Sequence, residues 1–248
     1  MVEIRTTDDT VDPSETTLVE GMPGVGLVGK IATDHLIDRL EMVQFAEIRG
    51  EGIPPVTVFD GDERGVHPPI RLYIDADEDL VALRSDVPVH VMDAPLFAER
   101  LTEWVVENDV LPVYLGGLPA ERDADEVPSV EGIGVGDGQE FLDAEAVPAP
   151  DESGMISGPC GALLSNAADE SADAIGLMVD TDPRFPDPQG AHALIKNGIN
   201  PVAGVDVETQ RLVEEAEDIM EQRKELAQRM QQADQHEASQ VSRTGMFQ

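Results

Sequence analysis

Residues 21–29 read Gly-Met-Pro-Gly-Val-Gly-Leu-Val-Gly, and this run limits the architecture more than any other stretch. Ahead of it, residues 17–20 (TLVE) form a short strand-like segment. Behind it, Val28, Ala32, Leu36 and Leu40 recur every four residues, with Ile31 and Ile37 beside them, which is the signature of an amphipathic helix. Glycine adopts backbone angles and close approaches that other residues resist. A strand, a tight turn and a helix in immediate succession therefore predict the opening unit of an α/β domain.

The rest of the chain continues that alternation. Val43, Phe45 and Ile48 predict a strand, Val56–Phe59 a shorter one, and Ile70–Ile74 with Leu80–Leu83 a hairpin around the acidic turn 75–79. A second helix is expected after Asp93 as N-cap, with Pro95 in its first turn and Phe97, Leu101, Trp104 and Val105 on its buried face. Leu111–Leu115 reads as a strand ending at Gly116-Gly117, and residues 121–152 as an exposed acidic loop with strand fragments near Ile133–Val135. Ser157-Gly158-Pro159 opens a third helix, Ala174–Val179 is a strand, and Asp187-Pro188 starts another helix. The expected fold is α/β, with a mixed, largely parallel sheet flanked by helices over residues 1–205.

From Asp206 to about Asp234 there is neither Gly nor Pro, and Leu212, Ala216, Ile219, Arg223, Leu226, Met230 and Ala233 alternate spacings of four and three. This predicts a long C-terminal helix over 206–234 with a heptad seam interrupted at Arg223. Leu212, Ala216, Ile219, Leu226 and Met230 are the expected contacts of a homo-oligomer. Residues 235–248 are expected to form a mobile tail.

Charge restricts the partners. The chain has 51 Asp and Glu against 16 Lys and Arg, a net charge of −35, and the acids are spread along its length. Self-repulsion of that size opposes compaction at ordinary ionic strength and is screened at molar salt, where the Debye length is about 3 Å. A salt-rich cytoplasm, as in halophilic archaea, is the simplest setting. The same charge argues against nucleic acid and anionic membranes as partners. Cys160 is the only cysteine, so no intrachain disulfide can form, as suits a reducing cytosol. The N-terminal MVEIRTTDDT lacks an apolar signal region, and a cytoplasmic location is expected.

Enzymatic signals are few. Gly24-Val25-Gly26-Leu27-Val28-Gly29 fits GxGxxG between a strand and a helix, and Glu47 stands near the distance of a ribose-binding acid. A nucleoside- or nucleotide-binding enzyme using this turn is one reading. In the other, Gly21, Pro23, Gly24, Gly26 and Gly29 only shape a structural turn. Cys160 stands where a helix N-terminus can lower a thiol pKa, but a lone cysteine among glycines and alanines suits a small buried apolar residue better. His35, His67, His90, His192 and His236 show no metal-ligand spacing. No cofactor and no catalytic residue is assigned.

The run 21–29 followed by an amphipathic helix resembles the opening signature of the archaeal proteasome assembly chaperone family. Gly116-Gly117 after a strand, the start at Gly158-Pro159-Cys160-Gly161 and the Asp187-Pro188 start ahead of a long helix agree with it in order. The resemblance implies a nucleoside-phosphorylase-like α/β sandwich and an ATP-independent, oligomeric chaperone whose partners are proteasome α subunits. The terminal Met246-Phe247-Gln248 resembles the hydrophobic–tyrosine–any tail of proteasome activators, with Phe in place of Tyr, and these three residues are the expected docking element.

Overall fold

The computed structural model describes residues 1–59, 65–120, 128–184 and 186–214. They form an α/β body, Met1–Thr209, and a separate stretch that begins at Gln210. In chain order the body comprises β1 (Val2–Thr6), β2 (Thr17–Gly21), α1 (Val28–Arg39), β3 (Val43–Gly50), β4 (Ile70–Asp75), β5 (Leu80–Ser85), α2 (Ala94–Glu107), β6 (Leu111–Pro119), β7 (Val130–Val135), α3 (Gly138–Ala144), α4 (Gly158–Asp169), β8 (Ala174–Thr181) and α5 (Pro188–Leu194). A π-helical turn at Ile195–Ile199 and the short α6 (Asn200–Ala203) continue from α5.

The strands make one sheet in the order β1-β3-β4-β5-β2-β6-β8-β7. Its centre, β5-β2-β6-β8, is parallel. Both flanks are antiparallel: β1-β3-β4-β5 on one side and β7 on the other. The sheet is mixed as expected, but "largely parallel" overstates it. The turn at 75–79 makes β4 and β5 a hairpin, and β1 and β7 both join as antiparallel edges, so parallel pairing is confined to strands linked through helices.

Period-two alternation sorts the side chains. Leu18 of β2, Tyr114 of β6 and Met178 of β8 share one core with Phe97 and Leu101 of α2 and Leu163 of α4. The opposite face carries α1 and α5, which pack on each other. After β2 the chain passes through α1 to β3, on one side of the sheet centre; after β6 it passes to β7 and β8, on the other. The carboxyl ends of β2 and β6 therefore flank the point where the connections diverge, the usual position of a crevice in such sheets.

Several local expectations need correction. Asp93 precedes α2 but makes no side-chain capping bond, and its backbone is already helical (φ −102°, ψ −9°). Asp187 does cap α5, its Oδ1 accepting from the Gly190 amide at 2.9 Å. Val56–Phe59 contributes only an isolated bridge, Val58 to His67. Within 121–152, the strand fragment expected near Ile133–Val135 is the end of β7, but the stretch also holds the unexpected α3. Residues 205–209 are not helical and 210–214 are, so the helix expected from Asp206 starts later; its remainder, from 215, lies outside the described residues. No helix among the described residues is long and apolar enough to cross a membrane.

Candidate functional site

The glycine run folds into a turn held by packing on several sides. Gly21 ends β2 against α1, and a Cβ there would collide with the Thr33 side chain. Gly26 has φ +63°, in the left-handed region, and the Thr181 side chain fills the space its own side chain would need. Gly29 faces Leu115, whose Cβ would lie 3.2 Å from an added methyl. The start of α5 locks the turn from outside. The Asp187 amide donates to the Gly26 carbonyl at 2.8 Å, and the Thr181 hydroxyl donates to Asp187 Oδ2 at 2.8 Å. Gly24 differs: its backbone is extended (φ −135°, ψ −160°), and an added Cβ would meet nothing nearer than the Met22 carbonyl at 4.0 Å.

This geometry disfavours a dinucleotide site. In that motif the second glycine leaves room for a pyrophosphate, whereas here Thr181 fills the space beside Gly26. Glu47 sits on β3, with β4 and β5 between it and β2. At about 4.8 Å per strand that is roughly 14 Å across the sheet, and Glu47 is bonded to Arg49 at 2.8 Å.

Gly24 instead lines a cleft of about 310 Å³ at the carboxyl ends of β2 and β6. The other walls are Gly116-Gly117 and the start of α4 from Ser157 to Cys160, with Met22, Leu118, Ile156 and Met178 supplying apolar surface. Gly158 (φ +73°) and Pro159 turn the chain into α4, and no side chain caps its first amides. Glu20 is part of the lining and is 1% exposed. It faces the same side of β2 as Leu18 and is paired in register with Tyr114. Its Oε1 accepts from the Met22 amide at 2.6 Å, while Oε2 has no hydrogen-bond partner among the described residues. Burial pushes its pKa from 4.5 to about 7, and the amides of Met22 and Leu115 oppose this only in part.

Cys160, at the start of α4, is buried, and its thiol pKa is raised, first by burial and second by Glu20. The helix N-terminus does not make it a nucleophile, and the apolar reading fits. Among the described residues no group of three His, Cys, Asp or Glu is arranged to hold a metal ion. Of the turn residues predicted from sequence, Pro23 and Gly24 line the cleft, while Gly21, Gly26 and Gly29 are packed beneath it. Of the expected oligomer contacts, only Leu212 falls in the described helical stretch; Ala216, Ile219, Leu226 and Met230 lie outside the described residues, as do Met246, Phe247 and Gln248. Sequence reasoning missed Glu20 as a site residue, although an acid two positions after Leu18 in an apolar strand was the available signal.

The crystal structure of PbaA from Pyrococcus furiosus, an archaeal homolog of proteasome-assembly chaperone, superposes with a TM-score of 0.80 at 24% identity, covering 99% of each chain. PbaB of the same organism, an archaeal proteasome activator, superposes with a TM-score of 0.78 at 23% identity, over 91% of this chain and 98% of PbaB. At these identities the likeness is one of fold. An uncharacterized protein of Methanocaldococcus jannaschii is 32% identical over 217 residues, covering 85% of this chain and 84% of its own. The PAC2 family pattern matches residues 18–227, from the β2 strand ahead of the glycine turn onward, and the chain belongs to the PAC2 family.

Proposed function

We propose that this chain is an ATP-independent assembly chaperone or docking factor for the 20S proteasome that binds α subunits as a homo-oligomer in a salt-rich archaeal cytoplasm. Membership of the PAC2 family carries the reading. It is supported by the fold shared with PbaA and PbaB, one a homolog of a proteasome-assembly chaperone and the other a proteasome activator. The filled space at Gly26 and the distance to Glu47 weigh against a dinucleotide enzyme built on the same turn.

In this proposal Met246 and Phe247 bury apolar surface between adjacent α subunits, at about 25 cal/mol per Å² before ordering costs. The carboxylate of Gln248 supplies a charge for a pocket cation. The seam of Leu212, Ala216, Ile219, Leu226 and Met230 joins protomers, so several tails engage one ring and raise each other's effective concentration. The test is co-purification with α subunits at molar KCl, with and without residues 246–248. Retention by the full chain and its loss on truncation are the expected results. Equal retention by both would move the docking surface to the α/β body, and no retention by either would remove the proteasome reading.

A further inference from the structure

We propose that the cleft between the carboxyl ends of β2 and β6 binds a small molecule with an apolar body and a protonated amine head, the amine pairing with Glu20. This goes beyond proteasome docking and does not depend on it.

Three independent observations meet in the cleft. Glu20 Oε2 is buried and has no hydrogen-bond partner among the described residues. No Lys, Arg or His lines the cleft among the described residues. The protein therefore keeps a carboxyl in an apolar wall without supplying its counter-charge, an arrangement that is costly unless something else completes it. The second observation is topological: the crevice lies where the connections from β2 and β6 diverge, the position at which open α/β sheets hold ligands. The third is room. A space of about 310 Å³ is walled by Met22, Leu118, Ile156 and Met178, and Gly24, a position whose backbone does not require glycine, adds no side chain to that lining.

The lining chooses the ligand class. An ammonium donates three hydrogen bonds and carries the charge that Glu20 lacks. The surrounding methionine, leucine and isoleucine surface suits an aliphatic body of a few carbons. A dianionic phosphate would meet Glu20 with no cation to offset it. The start of α4, which no side chain caps, lies in the same lining and offers amides to a carboxylate on the same molecule, which makes amino-acid-like amines a natural subset.

Pairing with a cation requires the ionised carboxylate. Burial raises the Glu20 pKa to about 7, and the titratable groups beside it, Tyr114 of β6 and Cys160 of α4, are held neutral by their own raised pKa values, so its ionised fraction, and with it the amine affinity, should rise about tenfold between pH 6 and pH 8.

The experiment is calorimetric titration of the full chain at molar KCl with pentylamine, norleucine, pentanol and hexanoate. Saturable binding of pentylamine or norleucine that is tighter at pH 8 than at pH 6, lost in Glu20→Gln, and absent for pentanol and hexanoate, is the expected result. Gly24→Val adds a side chain to the cleft lining while leaving Glu20 in place and should also weaken binding, with circular dichroism reporting an unchanged fold. No saturable binding of either amine by the parent overturns the proposal. So does binding of equal strength by Glu20→Gln, or by pentanol, since the cleft would then be an apolar slot indifferent to the carboxylate.

Discussion

A buried carboxylate and a half-buried one stand at the carboxyl ends of neighbouring strands and live in opposite ionic environments. Glu20 is the penultimate residue of β2, on the face covered by α2 and α4; Asp86 follows β5, the neighbouring strand, and turns toward α1. Around Asp86 the chain concentrates its scarce cations. Lys30 lies 3.1 Å away, Arg84 3.7 Å away, and Arg71, only 2% exposed, is in direct contact. Asp34 joins the network through Lys30 at 2.9 Å and Arg84 at 3.2 Å. Burial alone would raise the Asp86 pKa, yet Lys30, Arg84 and Arg71 together hold it below its ordinary value. Glu20 has the burial without the cations, and its pKa rises. In a chain with 16 basic residues, three meet at Asp86, and among the described residues none pairs with Glu20. A carboxylate with cations is part of the fold's own structure, whereas one without them is available to a partner from outside.

The largest expected effect breaks the paired side. Asp86→Ala leaves Arg71 buried without its carboxylate, and should cost about 4 kcal/mol in denaturant unfolding at molar salt, because removing one partner strands the other charge. The depressed Asp86 pKa contributes stability that is present above its unfolded value, near 4, and is lost as pH falls through the folded value. The parent should therefore lose stability below about pH 4 more steeply than Asp86→Ala.

The unpaired side should respond with the opposite sign. The folded Glu20 holds its proton up to about pH 7, whereas the unfolded chain releases it near 4.5, so the group removes stability progressively between those values and by a constant amount above them. Glu20→Gln should be up to about 3 kcal/mol more stable than the parent at pH 8 and about equal at pH 4.5. Comparing variant with parent at each pH cancels most of the self-repulsion that both share. A flat difference across that range would mean that Glu20 is compensated after all.

The smallest effect separates the two kinds of glycine in one turn. Gly26→Ala combines a left-handed backbone with a collision against Thr181 and should cost about 2 kcal/mol. Gly24→Ala, in an extended backbone with open space, should change stability by less than about 0.5 kcal/mol. Equal losses at both positions would mean that Gly24 is constrained by packing too.

The same contrast explains what the sequence reveals. The β2–turn–α1 unit, the β4–β5 hairpin and the capped start of α5 are legible because each rests on local chemistry: glycines, an acidic turn, an Asp-Pro pair. The edge strand β1 is not, since in Val-Glu-Ile-Arg-Thr only Val2 is buried and pairing with β3 makes the strand. Helix α3 is hidden because Gly-Gln-Glu-Phe-Leu-Asp-Ala has one buried anchor side chain, Leu142, which packs over Gly132 of β7. Glu20 was obscured by composition. With 51 acids in the chain, one more is uninformative until its burial is known.

The most direct test of the central claim is carbon-detected NMR titration of the Glu20 side-chain carboxyl at molar KCl, with and without pentylamine. The account predicts a midpoint near pH 7 for the protein alone and a lower one with saturating amine. A midpoint near 4.5 in the protein alone, unmoved by amine, would show that the chain already supplies what Glu20 lacks, and would contradict the division between a paired structural carboxylate and an open binding one.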